Sequence, residues 1–152
     1  MKIANYITKV SCFPEGSGTK EDSYIIRTKE QLSYVHDYVD AYYRLEEDIN
    51  YAEYLWSLLG TYEAPFTGHI DGNGHVIEHL VIAGCLDNPT GFVGVMQGGS
   101  VTDLVLKHVA VNDSDYSGAV IGYAYGGCII ENCIVEEGTI IIIESVFFSR
   151  RL

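Results

Sequence analysis

The chain has 152 residues, 47% of them hydrophobic, enough for one domain with its own core and too few for two. Its formal net charge of -12, from 21 acidic residues against nine basic ones, opposes attraction to nucleic-acid phosphates or anionic lipid and favours basic or neutral partners. Sixteen Gly against three Pro, with many Val and Ile, favour an all-β chain with tight corners over a helical bundle.

Residues 1 to 23 mix polar residues with Gly16-Ser17-Gly18 and read as a lead-in segment, leaving 24 to 152 as a single domain. No apolar run near Met1 is long enough for a signal peptide, so the chain as given is expected to be cytoplasmic, or extracellular if it is part of a larger exported protein. Tyr24-Ile25-Ile26 predicts a short strand. Thr28 followed by Gln31 is a capping-box pattern, and the helix it opens places Leu32, Val35 and Val39 on one face and ends near Ala41. Strand and helix together, 24 to 41, are expected to cap the domain. Tyr42 to Ile49 reads as one strand, followed by a variable, aromatic-rich connection over 50 to 65.

From Phe66 a pattern repeats, defining rungs over 66 to 138. The copies are Ile77-x-His79-Leu80-x-Ile82, Val101-x-Asp103-Leu104-x-Leu106 and Ile130-x-Asn132-Cys133-x-Val135, separated by 24 residues from Ile77 to Val101 and 29 from Val101 to Ile130. Gly91-Phe92-Val93-Gly94 and Gly118-Ala119-Val120-Ile121-Gly122 lie upstream of the second and third copies, and each is followed by a Gly-Gly pair. A copy this short offers only one side of a core and must stack on its neighbours to bury its apolar residues. Stacked tiers about 4.8 Å apart satisfy the backbone by parallel pairing. The expected fold is therefore a short right-handed parallel β-helix, all-β, with an N-terminal capping α-helix. Residues 139 to 152, including Ile140 to Ile143 and Val146 to Phe148, form a C-terminal strand that either covers the open end or pairs with the same segment of a second chain in a homodimer.

Phe66 to Ile77, with the two glycine-flanked segments, resembles the GLUG-motif repeats of bacterial surface proteins. Tyr43-Arg44-Leu45 with Asp48-Ile49, then Trp56 with Gly60, is similar to the segment that precedes those repeats. The resemblance runs from about Tyr24 to Ile140. It implies a pectate-lyase-like right-handed β-helix acting as a stalk or binding module in large exported proteins, including adhesins and IgA-cleaving peptidases, apart from any catalytic domain.

No catalytic constellation stands out. His79, Asp103 and Asn132 hold equivalent places in the three copies and are expected to form a turn ladder rather than a catalytic column. Glu78, Thr102 and Glu131 would form the next column, pointing outward, with the two carboxylates about 10 Å apart, near the upper limit for an inverting glycosidase pair. Polysaccharide cleavage is the third functional reading, since Lys107 is the only Lys after Lys29 to serve as a base. Asp71-x-Asn73-x-His75 lacks the Glu a calcium loop needs at its twelfth position, and the spacings of His69, His75 and His79 match no zinc site. The cysteines Cys12, Cys85, Cys128 and Cys133 lack paired spacing and read as free thiols; no metal and no cofactor is expected.

Twelve Tyr and one Trp supply large contact area with polar tips. Tyr123 and Tyr125 alternate on one strand and should share a face, while Tyr42, Tyr51, Tyr54 and Tyr62 are expected to gather at the variable connection. The candidate binding residues are Tyr116, Tyr123, Tyr125, Trp56, Glu78 and Glu131, and the expected role is non-enzymatic contact with a protein or glycan, without nucleic acid or membrane. The alternative is an intracellular acidic inhibitor from a mobile element that blocks a basic nucleic-acid-binding surface.

Overall fold

A computed structural model describes residues 12–84, 87–113 and 116–142. Strand β1 (Tyr24–Ile26) leads to helix α1 (Lys29–Ser33), which runs on as a 3-10 turn over Tyr34–Asp37. The chain then winds through four tiers. The first holds β2 (Tyr42–Leu45), β3 (Ile49–Asn50) and β4 (Leu55–Trp56), and the second β5 (His69–Asp71), β6 (Val76–Glu78) and β7 (Val81–Ala83). β8 (Val93–Gln97) precedes the third tier, β9 (Ser100–Thr102), β10 (Val105–Lys107) and β11 (Ala110–Asp113). β12 (Ile121–Tyr125) precedes the fourth, β13 (Ile129–Glu131), β14 (Ile134–Glu136) and β15 (Thr139–Ile142).

Every strand pairs in parallel with its counterpart one tier away, giving sheets β1-β2-β5-β9-β13, β3-β6-β10-β14, β4-β7-β11-β15 and β8-β12. The fold is a parallel β-solenoid of about three turns with one short N-terminal helix. Period-two alternation in a three-residue strand turns its middle residue inward, and the register stacks these residues into three columns. They are Tyr43-Ile70-Val101-Ile130, Ile49-Ile77-Leu106-Val135 and Trp56-Ile82-Val111, the backbone register of the third continuing at Ile140.

From the second tier onward the second and third columns step by 29 residues, as from Ile77 to Leu106 to Val135. The first column steps by 31 from Ile70 to Val101, because Asp71 to Val76 takes two more residues round its corner than Thr102 to Val105. This register corrects the expected alignment of copies. The Val101 and Ile130 copies match, but their second-tier counterpart is centred on Ile70; Ile77-x-His79-Leu80-x-Ile82 turns the next corner of the same tier. The solenoid also begins before Phe66. Tyr42 to Ile49 is broken at Glu46–Asp48 into β2 and β3, and the aromatic connection contributes β4.

The capping box forms as expected, with Thr28 accepting from Gln31 N and the Gln31 side chain accepting from Thr28 N. The helical segment ends at Asp37, short of Ala41, because the next residues join the solenoid wall: Val39 O accepts from Thr67 and Gly68 N–H, and Ala41 O from His69 N–H. The segment lies over the first tier, burying Leu32 and Val35, with Ser33 Oγ 2.7 Å from Tyr51 Oη and His36 packed on Trp56. Phe13 stacks on Tyr24 and tilts against Tyr43. The N-terminal end is thus covered.

The other end is bare among the described residues. Ile130 and Val135 are 45% and 42% exposed, whereas their third-tier partners Val101 and Leu106 are fully buried. The portion of the expected C-terminal strand beyond Ile142 lies outside the described residues.

Two consequences can be measured by urea unfolding. Leu106→Ala is expected to cost about 2–5 kcal/mol, as for a buried Leu, and Val135→Ala in the same column under about 1 kcal/mol. Equal costs would mean that the fourth tier is covered. His69 stacks on Tyr42 at 4.2 Å and has Nδ1 2.7 Å from Ser100 Oγ; burial, aided by Lys20, lowers its pKa. The unfolded chain therefore takes up this proton more readily. The stability His69 allows is intact above the ordinary imidazole value of about 6.5 and falls as pH drops through and below it. His69→Gln is expected to flatten that dependence.

Candidate binding surface

Two kinds of outward feature repeat along the solenoid. At the corners, non-glycine residues take left-handed backbone: Asn73, Asp103 and Asn132 at one, His79, His108 and Glu137 at the next, with φ between 52° and 61°. Asn and Asp tolerate this region best, and elsewhere it costs about 1–2 kcal/mol per residue. The side chains then ladder from tier to tier. Asn132 Nδ2 donates to Asp103 Oδ1 at 3.1 Å, His79 and His108 stack with centroids 5.0 Å apart, and His108 Nδ1 meets Glu137 Oε2 at 2.8 Å.

The expected His79-Asp103-Asn132 column is therefore two separate ladders. The expected Glu78-Thr102-Glu131 column is likewise corrected: Glu78 aligns with Lys107 and Glu136, while Thr102 and Glu131 align with Asp71 on another sheet. Glu78 and Glu131 thus face different directions and make no carboxylate pair. Asp71, Asp103 and Asn132 line a shallow groove at the first corner, where Asp71 Oδ1 accepts from Asn73 N at 2.8 Å. The Asp71 carboxylate thus serves its own turn, and that of Asp103 the ladder to the next tier.

Of the three histidines read at one turn, His75 meets Asp48, whose carboxyl is held below its usual range by the Val76 N–H and then by His75; His69 and His79 stack elsewhere. Among the described residues no group of three or more His, Cys, Asp or Glu is arranged to hold a metal ion. Cys12, Cys128 and Cys133 carry free thiols, and burial raises the Cys133 pKa; Cys85 lies outside the described residues.

The second kind of feature is aromatic, on the side formed by β8 and β12. Glycines let the backbones meet there: a Cβ on Gly94 would sit 2.7 Å from Gly60 O, and one on Gly122 2.8 Å from Gly94 O. Val93, Val95 and Met96 of β8 are buried, but β12 turns Tyr123 and Tyr125 outward on one face, with ring centroids 5.7 Å apart. Tyr116 joins them at 6.4 Å from Tyr123, carried by the Thr90–Ser117 bridge, with Thr90 N donating to Tyr116 O.

Tyr62 completes the surface at 5.9 Å from Tyr123. A tight turn presents it, in which Ala64 N donates to Thr61 Oγ1, while Tyr62 N donates to Asn88 Oδ1 at 3.1 Å. Tyr123 is thus the hub of four exposed rings, with 63% exposure at Tyr116, 48% at Tyr62, 42% at Tyr123 and 39% at Tyr125.

Of the four tyrosines expected to gather at the variable connection only Tyr51 and Tyr54 meet there, beside the buried Trp56, while Tyr42 lies on His69 and Tyr62 on Tyr123. Trp56, expected at the surface, is fully buried, its ring stacked 4.9 Å from Phe92 and its Nε1 donating to Phe92 O at 2.8 Å. Tyr62 was not singled out for this surface, because only the tertiary fold brings its turn beside β12.

No family model matches the chain. A protein of Evansella cellulosilytica named as a Gly-rich membrane protein is 34% identical over 140 residues, covering 84% of this chain and 16% of its own length. Halomucin of Haloquadratum walsbyi is 31% identical over 116 residues, covering 70% of this chain and 1% of itself. This chain is a β-solenoid domain related to segments of these two much longer proteins. It spans a small fraction of each. A crystal structure from Bacteroides ovatus, titled as an immunoglobulin A1 protease, shares the fold with a TM-score of 0.60 at 21% identity, over 82% of this chain and 50% of that one. Among the described residues no helix is long and apolar enough to cross a membrane.

The corner ladders generate a stability test. Asp103→Val is expected to cost about 1–2 kcal/mol more than Asp103→Asn or Asp103→Gly, since the β-branched side chain clashes in left-handed backbone. Equal costs, measured by thermal or urea unfolding, would remove backbone conformation as the reason for these residues.

Proposed function

We propose that the chain is a non-catalytic binding module of the GLUG-repeat type, working within a surface-protein context and holding a protein or glycan partner on its tyrosine face. The observation that carries this is the set of four exposed tyrosines that meet at Tyr123 on one side of the solenoid. Monomeric proteins expose single aromatic residues freely, whereas contiguous patches mark interaction surfaces. Tyrosine suits this use because a large, stiff ring loses little entropy on contact. The related segments in a Gly-rich membrane protein and in halomucin support the context.

The test is binding of the wild-type chain and of Tyr116→Ala/Tyr123→Ala to immobilised panels of cell-surface polysaccharides and proteins. The double variant is expected to lose about tenfold or more in affinity for whatever the wild type retains, as for an aromatic hot spot. Undiminished binding by a folded variant would overturn the assignment of this face.

The bare end supports self-association as well. Among the described residues the four strands of the last turn leave their outer edges free, next to Ile130 and Val135, and α1 lies over the opposite end, so self-association at these edges would join two copies end to end through the same face. Glu131, Glu136 and Glu137 rim that face without any Lys or Arg between Lys107 and Ile142. Dimers are therefore expected at micromolar concentration in sedimentation experiments at high ionic strength, and fewer at low. A monomer under both conditions would overturn this.

A further inference from the structure

The tyrosine face lies in an electrostatic setting of one sign. Between Leu45 and Ile142 the sequence has a single lysine or arginine, Lys107, against fourteen of the chain's 21 Asp and Glu residues. Lys107 sits on β10 between Glu78 and Glu136, on a different sheet from β12. Among the described residues no lysine or arginine lies over these four rings. Exposed carboxylates adjoin them in the chain, with Glu63 next to Tyr62, and Asp87 next to the Asn88 that fixes the Tyr62 backbone.

We propose that this face selects cationic side chains, and that its occupant is an arginine-rich extended segment of a protein partner. The inference rests on the tyrosine face being the binding surface and names what that surface takes. An aromatic ring carries negative potential over its face, and a guanidinium both stacks on it and satisfies that potential. The rings around Tyr123 are tilted by 39°, 53° and 61°, so their faces make a faceted strip along which successive cations can lie, rather than one flat platform for a sugar ring. The surrounding acids raise the local concentration of a basic segment and screen out acidic ones.

The molecule already makes this contact internally. Lys29 Nζ lies 4.2 Å from the centroid of the Tyr54 ring, and the Tyr54 hydroxyl donates to Glu30. The exposed face offers four further tyrosine rings to the same kind of contact.

The experiment titrates octa-arginine, and separately a neutral hexasaccharide, into the full chain, following tyrosine ring resonances by NMR and affinity by calorimetry. Octa-arginine is expected to shift the rings of Tyr62, Tyr116, Tyr123 and Tyr125 and to leave buried Tyr43 and Tyr51 unmoved. Replacing Tyr116, Tyr123 and Tyr125 together by Phe should keep affinity within about twofold, and replacing them by Leu should weaken it about fivefold or more, because Leu keeps the apolar area and the net charge but lacks the ring potential.

Equal affinity of the Leu variant would show that carboxylates alone attract the peptide, and would overturn the proposal. So would unmoved surface rings in the wild type, a readout that does not depend on any variant folding. If the hexasaccharide shifts those rings and octa-arginine does not, the cation preference fails while the binding face stands; if the rings respond to neither of them nor to any partner from the panels, both fail.

Discussion

Each tier of this protein is stable only because the next one seals it. A three-residue strand with one inward apolar side chain cannot exclude water alone, but the parallel register puts Ile70 on Val101 and Ile77 on Leu106, and in the second and third tiers the inward side chains lose their exposure. The contacts that make the core are thus the contacts that fix the register: sliding one tier by a residue would turn its inward residue out. The same dependence makes the two ends unequal. Where α1 and Phe13 lie over the first tier, burial is complete; at the fourth tier the columns continue in sequence but have nothing above them among the described residues.

The corners show how local strain is absorbed by repetition. Left-handed backbone at Asp103 and Asn132, or at His79 and His108, allows a sharp change of direction between strands, and the side chains so displayed stack on their counterparts a tier away. Stacked polar ladders recover part of the conformational cost and occupy their own hydrogen-bonding groups in doing so. Corner carboxylates, however densely they occur, are consequently poor sites for chemistry.

The β8-β12 side differs because its tiers are not equivalent. Val95 in one tier is answered by Tyr123 in the next, and connecting segments bring Tyr62 and Tyr116 to the same place. A solenoid wall is rigid and its loops are free to vary, so a composite patch of strand and loop residues is where such a fold can acquire a partner without disturbing its core. The sequence around this wall carries charge of nearly one sign, with fourteen Asp and Glu residues against Lys107 between Leu45 and Ile142, which opposes the approach of like-charged surfaces.

The capping box at Thr28, the alternation that places Tyr123 beside Tyr125, the glycine-flanked segments upstream of the tiers and the parallel solenoid itself were all determined by the sequence, because each depends on spacing within a few residues or on a repeat. Three matters were decided only by the tertiary structure. Ile77-x-His79-Leu80-x-Ile82 and Val101-x-Asp103-Leu104-x-Leu106 have the same one-dimensional pattern although they turn different corners, and only strand pairing distinguishes them. Trp56 reads as a surface anchor until Phe92 O supplies a buried acceptor for its N–H. Tyr62 and Tyr123 are 61 residues apart, and no local rule links them; their contact exists because stacking converts a separation along the chain into adjacency across tiers.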